Sequence, residues 1–352
     1  MGSRKLGVMF ASALFSFVRR GFKAPWIGGA SSLAVCLLAG VPVGAQTAHF
    51  AGVVVTLGSG FSGPTGVAVD ANGNVFVTDH LNNAIKEILA VNGSIPASPT
   101  IETLGSGFNL PFKAAVDSSG NVYVTDYGNR AVKEIEAVNG VIPASPTIRT
   151  LVSGTGFIFG TAVDSQGDVF YTDYSVNAVK EIVAVNGVIP ASPTVKTLGS
   201  GFNIPAGLAV DASGNVFVCD QNNNVVKEIL AAGGYTTVNT VATGFSTPVG
   251  IAIDAGGNIY VANAGGPQVN EVVAVNGVIP ASPTILTLPG SWGQPFDVAV
   301  DKYGNVYVAD ENNNVVKEIL YGGVNFGSVN VGASSASPRG LILTIDTAGT
   351  LG

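Results

Sequence analysis

GVAVDANGNVFVTD (residues 66–79) recurs five more times along the chain with small changes. The copies are KAAVDSSGNVYVTD (113–126), GTAVDSQGDVFYTD (160–173), GLAVDASGNVFVCD (207–220), GIAIDAGGNIYVAN (250–263) and DVAVDKYGNVYVAD (297–310). Their first aspartates stand at 70, 117, 164, 211, 254 and 301, spaced 47, 47, 47, 43 and 47 residues apart. A period of that length, built from short strands and tight turns, predicts an all-β, six-bladed β-propeller of four-stranded antiparallel blades.

Each copy parses the same way. An apolar strand ends at Asp70, and Asp70-Ala71-Asn72-Gly73-Asn74 makes a turn with glycine placed for positive φ. A second strand, Val75–Thr78, follows. A polar loop leads to a third strand, Ile85–Leu89, which alternates Lys86 and Glu87 and is expected to lie further out, where charge reaches water. The connector AVNGSIPASPT (90–100) then leads to an outer strand, Ile101–Leu104. That connector recurs at 137–147, 184–194 and 274–284, and is replaced by AAGGYTT (231–237) in the fourth unit, which shortens one spacing to 43. The first two strands are apolar on both faces, as blades sandwiched between other blades require. Six sets of the first three strands share only five outer strands between them. The missing copy, Val53-Val54-Val55-Thr56-Leu57, precedes the first set, so the N-terminal strand is expected to complete the last blade and remove exposed edges.

The recurring pattern GF-x-x-P-x-GVAVD-x-x-GNVYVTD-x-x-NN-x-V resembles NHL-repeat propellers, in particular the bacterial exported type. The resemblance covers about three quarters of the chain, residues 50–321. It implies a rigid binding or scaffold module. The arginine usual near the start of the third strand is replaced by Ala at 84, 131 and 178, which removes a basic feature common in nucleic-acid-binding relatives.

Composition agrees with the repeat. The 352 residues are 47% hydrophobic and only 11% charged, with 47 glycines and 18 prolines, a turn-rich, charge-poor chain. Residues 1–45 hold five basic groups (Arg4, Lys5, Arg19, Arg20, Lys23) and no acidic one. The rest carries 11 basic against 23 acidic groups, which would repel a phosphate backbone, so no nucleic-acid partner is expected. A basic start, the apolar run at 26–43 and the small residues Val43-Gly44-Ala45 together read as a signal peptide cleaved before Gln46. Arg19-Arg20 also resembles a twin-arginine export motif. The mature protein is therefore expected to be exported: periplasmic, cell-surface or secreted, and free of the membrane after cleavage. The expected domains are the leader 1–45, the propeller 46–321, and a tail 322–352 whose VNFGSVNVGASSAS (324–337) resembles the opening strand of Ig-like modules.

No catalytic residue, metal ligand set or cofactor is assigned. Only two histidines (His49, His80) and two cysteines (Cys36, Cys219) are present. Gly58-Ser59-Gly60-Phe61-Ser62-Gly63 matches a dinucleotide fingerprint in letters but precedes a strand, so it reads as a turn. The Asp70-type loops lack the bidentate glutamate of a calcium loop and read as side-chain-capped turns. Glutamates 87, 134, 181, 228, 271 and 318 recur in every unit, which points to architecture, and Cys219 reads as a small buried thiol.

The informative positions are those where the units differ. The residue after the second aspartate is His80, Tyr127, Tyr174, Gln221, Ala264 or Glu311. The residue opening each repeat copy is Gly in four units but Lys113 and Asp297 in the other two, and Phe112, Phe159 and Phe296 stand just before that position. Both sets fall at one end of a propeller. They form a candidate ligand rim of Lys113, Asp297, Phe112, Phe296, Tyr127, Tyr174, His80 and Glu311. The leading expectation is a monomeric, non-enzymatic binding, sensing or scaffold propeller offering that rim to a glycan, peptide or surface protein. The alternative is a propeller enzyme of lyase or lactonase type, which would need more histidines or channel carboxylates than the sequence offers.

Overall fold

A computed structural model describes residues 50–320 and 342–343. The leader with Cys36, His49 and nearly all of the tail lie outside the described residues.

Among the described residues, six four-stranded antiparallel sheets are formed, one per repeat. Blade 1 runs from the channel outward as Pro64–Val69, Val75–Asp79, Ala84–Ile88 and Ile101–Thr103. Blades 2 to 5 repeat that order. Blade 6 takes its three inner strands from Pro295–Val300, Val306–Asp310 and Val315–Ile319, and its outer strand from Val54–Leu57 near the other end of the chain. Val54 pairs with Ile319 and Leu57 with Val316. A short antiparallel pair, Phe50–Ala51 with Ile342–Leu343, lies beside this seam in sequence.

The reason for this local structure recurs in all six units, blade 3 having Asp168 where the others have the asparagine that adds a side-chain amide. Asp70 Oδ1 accepts from the Asn72 and Asn74 amides at 2.8 Å, and its Oδ2 from Asn74 Nδ2 at 3.0 Å, so one carboxylate organises the whole turn. Gly73 sits there at φ +88°. Asn74 Oδ1 then accepts from the Ala90 amide, fixing the start of the connector.

The core lies between blades. Ala68, Phe76 and Ile85 of blade 1 pack with Phe108, Ala114, Val122 and Val124 of blade 2, and equivalent clusters fill the other junctions. Polar staples accompany them. Thr78, Thr125 and Thr172 donate to the carbonyls of Phe112, Phe159 and Ala206 in the next inner strand; Cys219, fully buried, directs its thiol at the Gly250 carbonyl in the same way. Asn83, Asn177, Asn224 and Asn314 each accept an amide hydrogen from the following blade, and the Asn314 bond, to Gly63, spans the seam between blades 6 and 1.

The third strands differ from the sequence expectation. Glu87, Glu134, Glu181, Glu271 and Glu318 are buried, because neighbouring blades cover each sheet out to its third strand. The lysines of these strands turn inward: Lys86, Lys133, Lys180, Lys227 and Lys317 pair with Asp79, Asp126, Asp173, Asp220 and Asp310 at 2.6 to 3.3 Å.

Candidate functional site

The six inner strands pack side by side in a ring around the channel. Each carries a β-bulge at its start, and there the backbones of adjacent blades come close. A Cβ on Gly66 would stand 2.9 Å from the Lys113 Cα, and one on Gly250 2.5 Å from the Asp297 Cα. Glycine is therefore the default at this position. Lys113 and Asp297 take its place in blades 2 and 6, and in each case the next blade has glycine there, Gly160 and Gly66 respectively.

Those two side chains meet. Lys113 Nζ lies 2.6 Å from Asp297 Oδ1 and donates to the Phe296 carbonyl at 2.9 Å; Asp297 Oδ2 accepts from the Val67 amide at 3.0 Å. The link thus runs from blade 2 to blade 6 across blade 1. Both residues are buried, at 3% and 6% exposure. Burial lowers the Lys113 pKa and raises that of Asp297, and their mutual attraction opposes both shifts. A cavity of about 50 Å³ adjoins the pair, bounded also by Thr161, whose buried hydroxyl has no hydrogen-bond partner among the described residues. That volume suits a few water molecules, not an organic ligand.

Aromatic rings gather around the same end of the channel. Phe112, Phe159 and Phe296, from blades 2, 3 and 6, stand with centroids 4.1, 5.6 and 5.9 Å apart. Lys113 Nζ is 5.5 Å from the Phe296 centroid. His80 meets Phe112 edge-on at 5.0 Å, and its Nδ1 lies 3.1 Å from the Pro111 carbonyl. Tyr127 leans on Phe112, and Tyr174 on Phe159. A stack continues outward as Tyr127, Phe157 and Tyr174, with Arg130 over the Phe157 ring at 4.8 Å and the two tyrosine hydroxyls 3.2 Å apart. Burial and the Tyr127 hydrogen bond push the Tyr174 pKa up to about 12, so this phenol is neutral at ordinary pH.

The structure therefore brings together Phe112, Phe296, Tyr127, Tyr174 and His80. It pairs Lys113 with Asp297 beneath them, where their polar atoms are occupied by each other and by backbone. Glu311 opens the equivalent turn of blade 6. Its carboxylate is half-buried, makes no hydrogen bond or ion pair among the described residues, and feels Lys113 only at longer range. Sequence reasoning missed Phe157 and Arg130. The signal was available: the column three residues before the glycine position reads Gly63, Leu110, Phe157, Ile204, Thr247, Gln294, as variable as the columns that gave the other rim residues. Among the described residues no group of three or more His, Cys, Asp or Glu side chains is arranged to hold a metal ion.

The NHL repeat family model matches residues 61–87 and 202–227, in blades 1 and 4. The chain is a six-bladed β-propeller that carries NHL repeats. No functionally curated protein matches it in sequence. Solved structures similar to this propeller include a streptogramin B lyase (14% identity, 77% of this chain and 98% of that one, TM-score 0.53) and a Bacteroides thetaiotaomicron protein of unknown function (18%, 77% and 75%, TM-score 0.58). A third is the PQQ-bound aldose sugar dehydrogenase of Streptomyces coelicolor (16%, 76% and 97%, TM-score 0.54). At these identities the likeness is one of fold.

Proposed function

We propose that this propeller is an exported, non-enzymatic binding module that takes its ligand on the aromatic surface at the channel mouth. One observation carries the reading. Repeat-invariant residues build the blades, whereas the aromatic rings occupy repeat-variable positions, and those from blades 1, 2, 3 and 6 converge on one spot. Six equivalent blades have no structural need for an aromatic cluster on one side of the channel. Partly exposed rings on a rigid scaffold offer large contact area at small entropic cost.

A lyase or lactonase mechanism finds less support. His80 is the one histidine among the described residues; burial lowers its pKa, and its Nδ1 is engaged by a backbone carbonyl.

Saturation-transfer NMR against a mixed set of saccharides, peptides and small amines tests the proposal. Binders are expected whose signal disappears in a Tyr127→Leu, Tyr174→Leu variant that melts like the parent. Binders indifferent to that change would place the site elsewhere. The export part of the proposal predicts a mature N-terminus at or near Gln46 by mass spectrometry, and an intact leader on the purified protein would remove it.

A further inference from the structure

We infer that the channel-mouth site is built for a small organic cation, a substituted or quaternary ammonium group, held between the aromatic rings and the Glu311 carboxylate. The inference rests on the binding role proposed above and names its ligand class.

Charge at the mouth is unevenly distributed. Lys113 and Asp297 cancel each other at 2.6 Å. Arg130 is set over Phe157, on the outer part of the stack. That leaves Glu311, at the blade 6 position equivalent to His80, Tyr127 and Tyr174 and within electrostatic reach of Lys113, as an additional negative charge. Half-burial of a carboxylate without a partner costs free energy, and that cost raises the Glu311 pKa, the Lys113 charge lowering it only in part. A cation at the mouth would offset that cost. A neutral ligand could offer the carboxylate hydrogen bonds alone.

The rings point to the same class. Phe112, Phe159 and Phe296 lie within 5.9 Å of one another, with Tyr127 and Tyr174 against them. Ring faces attract cations through their quadrupoles, most strongly where water is displaced. Lys113, 5.5 Å from the Phe296 centroid, already uses one of these rings from inside the channel. An acidic chain, with net charge −7, draws cations towards it over longer distances.

Titration calorimetry of the full chain with choline, and separately with its neutral isostere 3,3-dimethylbutan-1-ol, reads the charge requirement directly. Choline is expected to bind, the alcohol at least about tenfold more weakly, a difference of about 1.4 kcal/mol. Glu311→Gln, which keeps shape and removes charge, is expected to erase most of that difference with an unchanged melting curve. Phe112→Leu is expected to weaken both compounds. Equal binding of choline and the alcohol, or choline binding unaffected by Glu311→Gln, would overturn the inference. So would the absence of choline binding. If a neutral compound binds and depends on Phe112 but not on Glu311, the aromatic site stands and the cation assignment falls. If nothing bound depends on Phe112, both fall.

Discussion

Blade 5 and the channel axis depart from the repeat in opposite directions. In every other blade the aspartate ending the second strand receives a lysine from the third, as Asp220 receives Lys227 at 2.6 Å. Blade 5 has Asn263 and Asn270 in those two places. Asn263 keeps the structural part of the role, its Oδ1 accepting the Ser246 amide at 2.7 Å as Asp220 accepts that of Asn203. Asn270 turns to Thr287. The axis does the reverse, gaining Lys113 and Asp297 where four blades have glycine. A buried pair is thus lost as a pair and gained as a pair. One unpartnered buried charge costs far more than the pair contributes over a neutral replacement.

Breaking the axial pair gives the largest expected effect. Lys113→Met leaves Asp297 buried without its cation, and should lower unfolding stability by roughly 3–5 kcal/mol. The double variant Lys113→Gly, Asp297→Gly restores the repeat pattern and should recover most of that loss in urea denaturation. A double variant as unstable as the single would mean that side-chain volume, not charge balance, is what the axis needs.

Blade 5 provides the converse, with a smaller effect because a lysine at this position reaches water, as the 13–23% exposed lysine side chains of the other blades do. Asn263→Asp introduces a buried carboxylate facing Asn270 and should cost about 1–3 kcal/mol. Adding Asn270→Lys reproduces the other blades and should return the melting temperature close to that of the parent. If Asn263→Asp alone is harmless, water reaches this network and the paired-loss argument fails.

The fold was legible because its signals are repeated. Six Asp-x-x-Gly turns, six apolar double strands and a strand count that needed its last member from the N-terminal side all stand in the sequence. The observed Val54–Ile319 pairing joins the two ends of that count. The rim was only half legible. Column variation singled out Phe112, Tyr127 and Glu311, and it placed Lys113 and Asp297, 184 residues apart, in the two neighbours of blade 1, where opposite charges could meet across the rim or hold a polar ligand between them; one dimension does not choose between those two outcomes, and the structure brings the pair together at 2.6 Å. The glutamates of the third strands were misplaced for a related reason. Lys-Glu alternation is the mark of a solvated face in an isolated sheet, whereas here neighbouring blades cover it.

One of those glutamates faces a like charge and carries the smallest predicted effect. Glu134 faces Arg149 and Glu181 faces Lys196 across the strand pair, but Glu87 faces Glu102, with Asp70 also near. Burial, reinforced by these two carboxylates, pushes the Glu87 pKa up to about 7. The native state therefore holds a proton that the unfolded chain, titrating near the ordinary glutamate value of about 4.3, has released. Stability from this site is complete below that value and is lost as pH rises towards 7. Glu102→Lys copies the arrangement of blade 3. It should add about 0.5–1 kcal/mol at pH 8, where Glu87 is ionised, and almost nothing near pH 4, where it is not. It should also flatten the decline in stability between those two pH values, since an adjacent ammonium lowers the Glu87 pKa. Thermal melts of both proteins across that range decide the matter. An equal gain at both ends would mean that the introduced ammonium side chain acts through packing, and that blade 1 tolerates its like-charge pair without cost.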